Sequence, residues 1–238
     1  MKKKIFKYGL SGWLIAAALM LVFSPAWLAA AELQAVKLTP PNLKRGLPFM
    51  EALAVKASAR EFSEKELSLP DLSDLLWAAD GINRPAENKS TASSAMNAHD
   101  IRIYVFMKDG AFLYDAPKHE LLPLLAGDYR SQIMMARPPR PAAAPAAAAP
   151  ASPPPSNPAV QIILVSDGER FTRGDPERKF EWGALDAGIV SQNISLFCAA
   201  TGLKTRPKAS MDKAKIRELL KLADTQTIFL NHPVGYAK

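Results

Sequence analysis

Residues Lys56 to Arg60 read Lys-Ala-Ser-Ala-Arg, so a cation, a hydroxyl and a second cation fall at alternate positions. Alternate side chains of an extended segment leave on one side. Lys56, Ser58 and Arg60 could therefore converge on one anion through charge-assisted hydrogen bonds. The same run also fits a solvated basic loop in which Ser58 is a cap. A second polar cluster, Ser93 to His99, offers Asn97, whose amide both donates and accepts, and His99, whose imidazole offers a donor or an acceptor. It fits a turn ahead of a strand equally well. Gln192 and Asn193 interrupt an apolar run and need partners if buried. Other chemistries find no support. Cys198 is the only cysteine, which excludes an intramolecular disulfide and a Cys-rich zinc site, and it reads as a small core residue. His99, His119 and His232 are not at metal-ligand spacing. No Ser/His/Asp triad or paired-carboxylate motif stands out.

The elements that must hold these residues alternate between helix and strand signals. Leu72, Leu75, Leu76 and Ala79 share a helical face, with Ser68 and Pro70 near its start and Gly81 past its end. Ile101 to Met107 alternates, Asp109-Gly110 turns the chain, and Ala111 to Asp115 returns, which predicts a β-hairpin. Val160 to Val165 and Thr227 to Leu230 are strand-length apolar runs. Between them lie a long apolar helix over about Leu185 to Thr201, closed by Gly202, and an amphipathic helix carrying Ile216, Leu219 and Leu220. The hairpin requires antiparallel pairing, so the class is α+β, a central and mostly antiparallel sheet covered by helices.

Composition limits the partners. The chain has 238 residues, 48% apolar and 22% charged, an ordinary globular balance. Removing Lys2, Lys3, Lys4 and Lys7 from the net +7 leaves +3, too little excess to suggest nucleic-acid binding. Those lysines open an export signal: residues 8 to 31 are uncharged, and Ala29-Ala30-Ala31 offers a cleavage site that leaves a mature domain of 207 residues, 32–238. The expected location is periplasmic or secreted. The alternative is an uncleaved segment that anchors the protein in the membrane facing the periplasm. Arg137 to Pro158 holds 9 of the 20 prolines and no core-forming side chain larger than alanine, so 137–158 reads as a solvated Pro/Ala-rich insertion.

Several blocks, in order, resemble the nitroreductase family, and most closely its SagB-type dehydrogenase branch. Lys56-Ala-Ser-Ala-Arg-Glu-Phe62 resembles the opening Arg-Arg-Ser-x-Arg-x-Phe, and Leu75 to Arg84 resembles the "LLWAA-G-NR" helix end. Thr91 to His99, Tyr104 to Tyr114, Ala187 to Leu196 with Gly202-Leu203, and Pro233 to Tyr236 resemble four further blocks. The resemblance spans about Ala54 to Lys238. It implies a nitroreductase-like fold and a homodimer that holds FMN at the subunit interface and passes electrons in two half-reactions on a small-molecule or peptide substrate. It further implies that Lys56, Ser58 and Arg60 hold the FMN phosphate, with Lys238 adding a cation, and that Asn97 and His99 contact the polar edge of the ring. Backbone amides of Lys208-Ala209-Ser210 would face the flavin N5; Ser210 or Asp212 also suits as cap of the next helix. The chain departs from the pattern at Lys56 and Ala57 for Arg, Ser93 for Pro, His99 for Gln and Ala209 for Gly. These departures leave a second expectation, a non-catalytic fold member that binds a ligand or a protein partner.

Overall fold

Along Ile101–Phe106 and Val160–Asp167 apolar side chains occupy both parities of the strand, which commits these segments to burial on two faces. The computed structural model describes residues 33–135 and 158–238. Its elements are β1 (Val36–Lys37), α1 (Phe49–Val55), α2 (Leu69–Asp80), β2 (Ile82–Arg84), β3 (Lys89–Ser90), β4 (Ile101–Phe106), β5 (Gly110–Asp115) and β6 (Glu120–Ala126). They continue with β7 (Val160–Asp167), α3 (Pro176–Thr201), β8 (Lys204–Thr205), α4 (Lys213–Leu220) and β9 (Gln226–Gly235). Seven strands form one sheet in the order β1-β6-β5-β4-β7-β9-β8, every neighbouring pair antiparallel, and β2 pairs with β3 beside it. The α+β class expected from the hairpin is the class observed.

Two cores follow from the strand alternation. On one face Ile101, Ile103 and Val105 pack with Leu72, Leu75 and Leu76 of α2 and with Ala187, Val190 and Ile194 of α3. On the other, Tyr104, Phe106 and Ile163 pack with Ile133, Met211 and Ile216, the last from α4. Local capping fixes the helices. Ser68 Oγ accepts from Asp71 N–H (3.2 Å), and Asp175 Oδ1 accepts from Arg178 N–H (2.8 Å) just before Pro176 opens α3. Gly183 lets α3 lie directly on β7, since a Cβ there would stand 2.4 Å from Ser166 Oγ.

The long helix begins at Pro176, nine residues before the expected Leu185, because Asp175-Pro176 starts it ahead of its apolar stretch. The strand expected at Thr227 to Leu230 runs on to Gly235. Strand β6 carries no sequence expectation: Pro123 in Glu-Leu-Leu-Pro-Leu-Leu-Ala reads as a breaker, yet it is accommodated where the register with β5 shifts between Ala111 and Phe112. Helix α1 is equally unannounced, being seven residues long and burying only Ala52. Among the described residues no helix is long and apolar enough to cross a membrane. The export signal at 1–31 lies outside the described residues, as does the 137–158 insertion apart from Pro158.

Candidate functional site

Helix α1 stops at Lys56, which takes an extended conformation (φ −61°, ψ 120°), and the chain then runs against the short strand β8. Ala59 N–H donates to Thr205 O (2.9 Å), and Ser58 bridges Thr205 in parallel. Phe62, 5% exposed, anchors the far end of the loop, and Ser63 N–H donates to Tyr236 O (3.0 Å). That bond draws the chain terminus, including Lys238, alongside the loop. Lys56, Ser58, Arg60 and Lys238 are all exposed. Lys56, Arg60 and Lys238 form no ion pair and no side-chain hydrogen bond among the described residues, so their charges are uncommitted. Ser58 and Thr205 line a cleft of about 520 Å³ together with Leu47, Ser195 and Leu203.

The Lys208 loop follows on the same side. Lys208 and Asn231 exchange backbone hydrogen bonds of 2.8 Å, which commits the Lys208 amide to the sheet. Ala209 and Ser210 are exposed, and their amides make no hydrogen bond among the described residues, so they carry the free donors of this loop. Asp212, not Ser210, caps α4, its Oδ1 accepting from Lys215 N–H (2.8 Å). The Lys208 ammonium is held below its ordinary value by burial and by Arg206, and it points to Met134 Sδ at 3.9 Å.

Asn97 and His99 lie at the other end of the sheet. Val234 of β9 is opposite Thr205, whereas Thr227 is opposite Ser166, itself opposite Ile101. Seven residues of strand separate the two levels, roughly 23 Å at about 3.3 Å per residue. One chain therefore sets the Lys56–Arg60 segment at the Val234 level and Asn97 and His99 beyond the Thr227 level, with Lys208, opposite Asn231, between the two. The 94–99 loop is tightly shaped: Met96, Asn97 and His99 have φ of 55°, 55° and 47°, a left-handed region that costs energy for residues with a Cβ. His99 N–H donates to Ser94 Oγ (2.9 Å) and Asn97 Nδ2–H to Asn88 O (3.4 Å). His99 Nε2 lies 2.9 Å from the same carbonyl, which only accepts, so Nε2 carries the proton and Nδ1 is left as the acceptor. His99 also lines a smaller cavity of about 230 Å³ with Asp80, Arg102, Tyr114 and Arg170.

Buried polar groups near both ends were not legible as such. Burial pushes the Asp80 carboxyl from 3.8 up to about 7, against the hydrogen bond from Ser90 Oγ (2.6 Å) and with help from Asp186. Asp100, fully buried, is likewise pushed up to about 7 by burial and by Asp186. His232 is fully buried between Thr205 Oγ1 (3.1 Å) and Ser191 Oγ (2.8 Å), and burial pushes it from 6.5 down to about 3. This Ser191–His232–Thr205 chain meets no carboxylate among the described residues, and it ties β8 to β9 and α3. Burial raises the Cys198 thiol far above its ordinary value and makes it inert, in keeping with a core role. Asn193 Nδ2 finds the carbonyls of Ala79 (3.2 Å) and Thr91 (3.3 Å), while Gln192 faces solvent.

Comparison with known proteins gives a consistent picture. The model of the nitroreductase family matches residues 53–236. A Methanocaldococcus jannaschii protein bearing the nitroreductase name is 26% identical over 191 residues, covering 78% of this chain and 89% of that protein. A crystal structure of a Ralstonia eutropha protein titled as a nitroreductase superposes with a TM-score of 0.73 at 26% identity, over 87% of this chain and 90% of the other. A chain of the E. coli microcin synthetase McbBCD complex, solved with truncated pro-MccB17 bound, shares the fold at 14% identity (TM-score 0.62, 84% of this chain and 77% of that one).

Proposed function

The chain belongs to the nitroreductase family, which makes it a flavin oxidoreductase in general terms, and from that premise we propose that it is an exported enzyme of the SagB-like branch that uses FMN in a homodimer. The observation that carries this reading is the division of the candidate site between two ends of one sheet. A two-fold pair can set one subunit's cationic loop opposite the other's Asn97. Exposed apolar side chains support such a partner: Phe49, Met50 and Val55 at 63%, 73% and 57% on α1, and Leu185 at 67% on α3.

The residues present fit FMN. A phosphate dianion leaving water needs cations that are not already paired, and Lys56 and Arg60 meet that need, with the Ser58 hydroxyl between them and Lys238 nearby. Asn97 offers a donor and an acceptor to the polar edge of the ring, and His99 offers Nδ1. Ala209 and Ser210 offer N–H groups where negative charge develops. Bound FMN supplies a two-electron relay, loaded in one half-reaction and discharged in the other. The protein's part is to neutralise the phosphate, orient the ring and cover it with a second subunit.

Export sets the electron donor. Nicotinamide nucleotides are scarce outside the cytoplasm, so a quinol, a protein partner or a small-molecule or peptide substrate suits a periplasmic or secreted enzyme. The deciding measurement is the absorption spectrum of the purified mature protein, with the cofactor released by denaturation and identified by mass. A flavin band and a released mass of FMN support the proposal. A colourless chain that FMN fails to reconstitute refutes it and leaves the non-catalytic reading, for which Ala57 and Ala209 are the relevant departures.

A further inference from the structure

Asp100 sits at the head of β4, fully buried between β7 and α3. Its Oδ2 accepts from Ser166 Oγ at 2.5 Å, whereas its Oδ1 has no hydrogen-bond donor among the described residues. The carboxyl group of Asp186, 4% exposed on α3, lies within hydrogen-bonding reach of Asp100, and its Oδ2 accepts from Ala95 N–H at 2.8 Å. Two carboxyl groups facing each other in a dry site do not both ionise, and a proton between them gives the orphaned oxygen its partner. Ala95 opens the turn in which Met96, Asn97 and His99 are left-handed. A loop with that backbone needs an external tie, and the Ala95–Asp186 bond joins it to the long helix.

We propose that Asp100 and Asp186 share one proton, and that this carboxyl–carboxylate bond is a positioning device that fixes the 94–99 loop, and with it Asn97 and His99, against α3. The groups around the pair sharpen the consequence of losing the proton. Asp80 at the end of α2 faces Asp186, Arg170 in the 168–170 turn acts on Asp80, Ser90 Oγ holds Asp80, the Tyr114 phenol on β5 lies in the field of Asp80, and Ser166 bonds Asp100. Without the proton, Asp100 and Asp186 repel beside Asp80, whose charge Arg170 offsets in part. Asp100 is pushed up to about 7, so release falls near neutral pH. The clamp itself needs no flavin. Its effect on FMN rests on the reading of Asn97 and His99 given above.

The experiment uses the intact mature protein and two readouts. Hydrogen exchange at the Ala95 amide, corrected for its intrinsic pH dependence, is expected to accelerate by up to roughly tenfold per pH unit as pH rises from 3.8 toward about 7 and to level off above that, because opening releases one proton only while the closed pair still holds it. In Asp100→Asn the amide donates permanently to Asp186, and the corrected exchange is expected to be flat. Asp186→Asn, which gives Asp100 a donor and keeps an acceptor for Ala95, provides the same comparison should the first variant not fold. A flat wild-type profile, or equal acceleration in wild type and variants, overturns the proposal. The FMN dissociation constant over the same pH range should rise in wild type and stay level in Asp100→Asn. If exchange responds but FMN affinity does not, the clamp stands and the flavin role of Asn97 and His99 falls.

Discussion

Asp80 and His232 titrate in opposition, and removing either one should expose the other. The Asp80 carboxyl rises from 3.8 unfolded to about 7 folded, so the native state holds a proton that the unfolded chain has released between those values. Its contribution to stability is present below 3.8 and is lost as pH rises through about 7. His232 falls from 6.5 to about 3, so there the unfolded chain binds the proton that the native state refuses. Its contribution is complete above 6.5 and is lost as pH falls toward 3. Across the shared window each contributes about 1.4 kcal/mol per pH unit, with opposite sign. The two slopes cancel in wild type. Relative to wild type, Asp80→Asn should therefore gain stability by that amount per unit as pH rises from about 4.5 to 5.5, while His232→Gln should lose it, and the double variant should return to the wild-type slope. With a urea m-value of about 2 kcal/mol/M, each difference is a midpoint shift of roughly 0.7 M per pH unit, readable in the fluorescence of Trp77 and Trp182. Parallel wild-type and variant slopes would refute the reasoning, since the replaced group is the one titratable group by which the two proteins differ.

Arg60→Ala removes one charge-assisted phosphate contact, on the order of 1.5–3 kcal/mol, and should weaken FMN binding by roughly ten- to a hundredfold in a flavin fluorescence titration; unchanged affinity takes Arg60 out of the site. The mature chain is expected to begin at Glu32 and to be a dimer, checked by N-terminal sequencing and light scattering; a monomer that keeps its FMN contradicts the shared pocket. Gly183→Ala forces a Cβ to within 2.4 Å of Ser166 Oγ, and overpacking of that kind costs about 2 kcal/mol, a melting temperature lower by roughly 4–8 °C. Replacing residues 137–157 by a short Gly/Ser link, and keeping Pro158, which is buried and accepts from Arg130 Nη1 (3.0 Å), should leave folding and FMN binding intact, because little apolar area is lost and loop closure changes by only about 0.6 kcal/mol per doubling of length. Aggregation or loss of flavin in that variant would show that the segment packs on the core.

The parts of the fold legible in the sequence are those where local pattern and burial agree. Leu72, Leu75, Leu76 and Ala79 form one helical face and pack in the first core as their spacing requires. The Asp109-Gly110 turn yields the β4–β5 pair, Tyr104 opposite Leu113. Where tertiary contacts override local preference, the sequence is silent. Pro123 sits inside a strand because a register shift absorbs it, and α1 exists through its lean on α3 and not through its own length. The cationic loop was legible because alternate spacing is a local property. The buried groups were not: Asp80 looks like a helix-end acid, Asp100 like a turn residue, and His232 like any strand histidine until the opposing elements are in place.

That contrast explains why the candidate site divides as it does. Residues that meet a charged ligand stay exposed and unpaired, so their sequence signature is simple composition at close spacing, as in Lys56, Ser58 and Arg60. Residues that hold a loop in a costly backbone state must be buried and paired, and their partners come from far along the chain: Asp186 reaches Ala95 across 91 residues, and Ser166 reaches Asp100 across 66. Strand register then puts the first group beside Thr205 and the second beyond Ile101, at opposite ends of one sheet. On the proposed reading, a flavin that uses both is met by two copies of the chain. On this argument a substitution at the exposed apolar face of α1, such as Met50→Glu, should separate the copies and lower FMN affinity together, although Met50 touches neither half of the site. Dimer dissociation with undiminished FMN affinity in that variant would show that one protomer suffices, and the division of the site between two subunits would have to be abandoned.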